Sequence, residues 1–80
     1  MKAYELIEQC GWQQGAYGNS GDGFCIMGVL YEAYEFDIAV GYKCRIKEKV
    51  GCMPEIWNDK PERTKAEVIA VLKQMEGVTE

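Results

Sequence analysis

The sequence predicts an all-α fold, a small compact bundle of about four short helices with a Gly-rich loop after helix 1. Three observations carry this. Apolar residues recur at helical spacing near both ends and in the middle of the chain. Glycines and prolines fall between those stretches and break them apart. A Thr-x-x-Glu capping box opens the last stretch. The 80 residues are 48% hydrophobic and 28% charged, which is too apolar for disorder and suits a single domain spanning 1–80.

Ala3, Leu6, Ile7 and Cys10 follow the i, i+3, i+4, i+7 order of an amphipathic helix, with Gly11 placed to end it. Residues 11–23 hold five of the nine glycines, together with Asn19, Ser20 and Asp22, and read as a loop anchored by Trp12 and Tyr17. Residues 24–36 are apolar on nearly every helical face. Gly28, Glu32 and Glu35 make a narrow polar stripe, as expected of a helix in the middle of a bundle, with Asp22 or Ser20 as its cap. Gly28 has no Cβ and would let another segment pack closely.

Residues 37–50 fit two periods. Val40, Tyr42, Cys44 and Ile46 alternate as in a strand, while Ile38, Tyr42, Ile46 and Val50 repeat as in a helix. Length, Asp37 as an N-cap and Gly51 as a stop favour the helix. Residues 51–63, with Pro54 and Pro61, read as a connector whose Ile56 and Trp57 turn inward and whose Asn58 and Asp59 close turns. From Thr64 a last helix buries Val68, Ile69, Leu72 and Met75 and stops at Gly77.

Several chemistries are disfavoured. The chain has no histidine, so the commonest general base and metal ligand are missing. Cys10, Cys25, Cys44 and Cys52 contain no Cys-x-x-Cys pair to pre-form a zinc site, so no metal or other cofactor is expected. Gly18–Gly23 precedes a helix but lacks the lysine and hydroxyl of a phosphate loop and the alternating carboxylates of a calcium loop. The start MKAYELIEQC is acidic and has no apolar signal core, no stretch reaches membrane-spanning length, and a cytoplasmic location is expected. Free thiols rather than disulfides go with that location.

Net charge is −4 and unevenly spread. Residues 1–40 set Lys2 against Glu5, Glu8, Asp22, Glu32, Glu35 and Asp37, and residues 41–80 are nearly balanced. The acidic excess argues against nucleic acid as a partner. The basic residues Lys43, Arg45, Lys47 and Lys49 spread around a helix and read as a solvated face.

The run Leu6 to Tyr17, with its Gly-Trp, polar pair, Gly and aromatic, resembles the opening of an uncharacterised family of small bacterial and phage domains. The likeness continues through Cys25-Ile26-Met27-Gly28-Val29-Leu30, Trp57-Asn58-Asp59, Thr64 and Glu67-Val68. The loop before Cys25 and the helix after Phe36 are short beside longer relatives. The resemblance implies a compact helical fold and a phage or mobile-element setting, without an activity. Trp12 and Trp57 are expected to pack together.

These readings lead to a non-catalytic binding protein, a phage or mobile-element factor that acts on a host protein. Its expected surface is the acidic face of Glu5, Glu8, Glu32 and Glu35. So thin a core also invites a homodimer, which would bury more apolar surface. A second expectation is a small-molecule binder using loop 11–23, Tyr17, Asn58 and Asp59, because loops on a rigid scaffold tend to carry function. A third is a thiol enzyme using Cys25, at the start of the central helix.

Overall fold

The apolar stripe of the first segment folds as α1 (Ala3–Cys10), with Ala3 and Ile7 buried. The amide of Gly11 donates to the Ile7 carbonyl at 2.9 Å and closes the last turn. The computed structural model describes residues 1–78 and is mainly helical, with five helices and one two-stranded sheet among those residues.

The sheet corrects the all-α expectation. It lies in the glycine-rich segment, where β1 (Gly18–Asn19) runs antiparallel to β2 (Gly23–Phe24), Gly18 facing Phe24 and Asn19 facing Gly23. Five glycines in thirteen residues are poor helix formers, so the backbone amides here find partners by pairing across strands. Gly18 and Gly23 have φ of +88° and +92°, and each lies within 3 Å of neighbouring backbone where a Cβ would sit. Asn19 Oδ1 accepts from the amides of Gly21 and Asp22 at 2.8 and 2.9 Å and fixes the hairpin tip. The chain before the hairpin joins it as well. Gln13 N donates to the Phe24 carbonyl and Phe24 N to the Gly11 carbonyl, at 3.1 and 3.0 Å.

Helix α2 (Ile26–Ala33) is the centre of the molecule, with Ile26, Met27, Val29 and Leu30 fully buried. Its cap is neither Asp22 nor Ser20, both exposed in the hairpin tip, but Cys25, whose Sγ accepts from the Gly28 amide at 3.2 Å. The apolar run continues past Ala33, yet the helix stops there and Tyr34 is extended (φ −134°, ψ 158°).

Residues 36–50 are helical throughout, as α3 (Phe36–Val50). Its N-cap position is Glu35, and Asp37 sits inside the first turn, where its charge still faces the positive helix end. Gly51 ends it in the left-handed region with φ +83°. The expected connector contains a further short helix, α4 (Pro54–Asn58), with Pro54 at its first turn, where a missing N–H costs nothing. Trp57 is buried as expected, whereas Ile56 is 57% exposed: on so short a helix consecutive residues cannot both face inward.

Helix α5 (Lys65–Met75) opens with the capping box the sequence predicts. Thr64 Oγ1 accepts from Glu67 N at 3.3 Å, and Glu67 Oε1 accepts from Thr64 N at 3.1 Å. These bonds, the Thr64 hydroxyl first, hold the Glu67 carboxyl below its usual range. Val68, Val71 and Leu72 are buried and Ile69 and Met75 half-buried. The Arg63 guanidinium lies 4.0 Å over the Trp57 ring, donates to the Trp57 carbonyl at 2.9 Å and pairs with Glu67 at 2.9 Å, which locks α4 to the start of α5.

Helix α1 packs against α5 and α2. The join is polar as well as apolar. The buried carboxylate of Glu76 accepts from the amides of Ala3 and Tyr4 at 2.8 and 3.1 Å and from the Tyr34 hydroxyl. It thus serves the unpaired amides and positive end of α1 from the far end of the chain. No helix among the described residues is long and apolar enough to cross a membrane.

Candidate functional site

The separate sequence blocks converge on Asn58. Its side chain is fully buried and every hydrogen-bonding group of its amide is used. Oδ1 accepts from Trp12 Nε1 at 2.7 Å and from Ile26 N at 3.0 Å. Nδ2 donates to the Gln13 carbonyl at 3.1 Å and to Asp59 Oδ1 at 3.0 Å. One amide therefore ties the 12–13 segment, the start of α2 and the end of α4 into one body. Trp12 and Trp57 are linked through this residue, since Trp12 bonds to the neighbour of Trp57. The expectation that Asn58 contacts a ligand is corrected: its amide is occupied within the chain and closed to solvent.

Around this hub the 13–17 turn is fastened to α4. Gln14 Nε2 donates to the carbonyls of Asn58 and Lys60 at 2.9 and 2.8 Å, and Gly15 N donates to Asp59 Oδ1 at 2.9 Å. Tyr17 anchors the segment through its backbone as well as its ring. Its carbonyl accepts from Cys25 N at 3.1 Å and lies against Gly28, while the residue is 55% exposed.

A pocket of about 240 Å³ opens beside these contacts, lined by Gly15, Ala16, Tyr17, Cys25, Glu55 and Asp59. Of the residues the sequence singles out, Tyr17, Cys25 and Asp59 meet here. Glu8, Glu32 and Glu35 are exposed. Glu5 is half-buried and its carboxylate accepts from the Lys2 amide at 2.8 Å, so it helps cap its own helix.

Glu55 is the lining residue that sequence reasoning missed. Its signal was present: once 54–58 is helical, Glu55 and Asp59 stand four apart and share a face. Glu55 Oε2 lies 3.9 Å from Lys43 Nζ. Its Oε1 is shut off from water and has no hydrogen-bond partner among the described residues.

The thiol of Cys25 is held in its protonated form. Burial pushes its pKa up, the carboxylates of Asp59 and Glu55 add to the rise, and the amides of Gly28 and Met27 oppose it without prevailing. Folding therefore favours the neutral thiol. That contribution to stability is intact below the ordinary thiol pKa and is lost as pH rises through the raised value. Alkylation by iodoacetamide at neutral pH should modify the exposed Cys44 before Cys25, as read by peptide mass mapping. Equal rates at the two sites would contradict this account. Among the described residues no group of three or more cysteines and carboxylates is placed to hold a metal ion.

Fold and site together define a small, mainly helical domain with an acidic pocket between a glycine-rich turn and a short helix. Residues 1–77 match the family model described as "Family of unknown function (DUF6197)", and the chain belongs to that family. No curated protein and no solved structure matches the chain.

Proposed function

We propose that this chain is a non-catalytic binding domain whose pocket seats a compact cationic group. The observation that carries this is the pair of carboxylates, Glu55 and Asp59, in the lining of one pocket together with Tyr17. An ammonium or guanidinium supplies donor and charge together. The exposed carboxylates of Glu8, Glu32 and Glu35 support the same reading, because an acidic surface draws cations toward it. A protonated thiol in a pocket with two carboxylates is a poor nucleophile, which favours binding over thiol chemistry. The phage or mobile-element setting belongs to the proposal as its biological frame, with a host protein as the source of the cation.

Titration with blocked arginine, followed by calorimetry or amide chemical shifts, tests this. Saturable binding is expected in the wild type. Glu55→Gln should weaken it about tenfold or more, the equivalent of roughly 1.4 kcal/mol. Lys43→Met should strengthen it a few-fold, since the internal competitor is a half-exposed pair worth roughly 0–1 kcal/mol. Unchanged affinity in folded Glu55→Gln would overturn the proposal.

A further inference from the structure

Tyr17 belongs to two features at once. It lines the pocket, and its ring meets Tyr31 edge-on at 5.7 Å and 86°. Tyr31 in turn stacks on Phe36 at 6.0 Å with the planes 6° apart. The three rings form a ladder leading away from the pocket across the corner between α2 and α3. Its end members are open to solvent, Tyr17 at 55% and Phe36 at 68%. Large exposed apolar groups that touch one another mark interaction surfaces far more often than isolated ones do. Exposed carboxylates flank the ladder in sequence: Glu32 follows Tyr31, and Glu35 and Asp37 bracket Phe36. No lysine or arginine lies between Lys2 and Lys43.

We infer that pocket and ladder form one docking surface for an extended basic segment of a protein partner, with an arginine in the pocket and apolar residues laid across Tyr31 and Phe36. This rests on the reading that the pocket seats a cation. The pocket's size favours a side chain over a free metabolite: about 240 Å³ falls below the roughly 300–1,000 Å³ of sites that enclose small molecules. Its walls favour arginine over lysine. A planar fork of five donors can serve two carboxylates at once and lie against the Tyr17 ring, where an ammonium is a single point of charge. The ladder's two steps, 5.7 and 6.0 Å, are covered by three or four residues of extended chain at roughly 3.3 Å each. The charge around the rings complements a basic segment and repels an acidic one.

The test compares blocked arginine with two acetylated, amidated peptides, Gly-Arg-Gly-Leu-Phe-Gly and its lysine counterpart. Each is titrated into wild type, Phe36→Ala and Glu55→Gln. The arginine peptide is expected to bind about tenfold or more tightly than blocked arginine, and the lysine peptide more weakly than its arginine counterpart. Phe36→Ala should abolish the peptide's advantage and leave blocked arginine unchanged. Its urea midpoint is compared with wild type, and wild-type amide shifts at residues 31 and 36 give a readout that needs no variant. If the peptide gains nothing over blocked arginine, or shifts spare residues 31 and 36, the ladder inference falls and the cation pocket stands. If neither peptide nor blocked arginine binds, both fall. Equal binding of the lysine peptide would overturn the arginine assignment. A dimer in sedimentation that Phe36→Ala dissolves would give the ladder to a second copy of the chain and overturn the partner assignment.

Discussion

Asn58→Ala is expected to cost about 3–5 kcal/mol, a large share of what holds a domain of this length together. The truncation leaves Trp12 Nε1, Ile26 N and the Gln13 carbonyl without their partner, and each orphaned buried group costs roughly 1–3 kcal/mol. Solvent reaches the half-buried Trp12 and softens one of the three. At roughly 0.05–0.15 kcal/mol per residue, 80 residues hold about 4–12 kcal/mol in all. Urea unfolding followed by the fluorescence of Trp12 and Trp57 would show the midpoint collapse, or a chain already partly unfolded in buffer. A loss under about 1 kcal/mol would mean that water replaces the amide, and that Asn58 is not the hub described here.

Gly28→Ala is the second large effect, and its sign runs against helix propensity. Gly28 lies inside α2, where alanine ordinarily gains about 1 kcal/mol. A methyl there would overlap the carbonyl oxygen of Tyr17 and come within 2.7 Å of its carbonyl carbon, and backbone atoms cannot swing aside as a side-chain tip can. Overpacking of this kind costs roughly 1–3 kcal/mol. Moving Tyr17 also strains the Cys25 N bond to its carbonyl and opens the pocket wall. The variant should lose both stability and cation binding. Gly41→Ala is the matched control: it too is helical, nothing lies within 4 Å of its would-be Cβ, and it should gain up to about 1 kcal/mol. Equal effects at the two positions would remove the contact with Tyr17 as the cause.

What the sequence made legible was local. The stripe of α1, the glycine stops at Gly11 and Gly51 and the Thr64–Glu67 box depend on residues within a turn or two of each other, and all appear in the structure. What it hid was settled at long range. The apolar run 24–36 gives no hint of a break, yet Tyr34 leaves the helix and places its hydroxyl on Glu76, 42 residues away. The hairpin escapes because its strands are two residues each, too short for a period of two to register. The site was half legible. Tyr17, Cys25 and Asp59 stood out as residue types, whereas Asn58 looked like a turn former because its partners Trp12 and Gln13 lie about 45 residues back. Glu55 looks ordinary in the sequence because the proline-flanked stretch that pairs it with Asp59 has the pattern of a connector, not of a helix.

The Glu76 carboxylate also makes the two ends of the described chain answerable to one another. It fastens the first turn of α1 from just beyond the last turn of α5, so neither end can peel away alone. The molecule is sewn shut at its rim, and an added segment at either end bears on the same stitch.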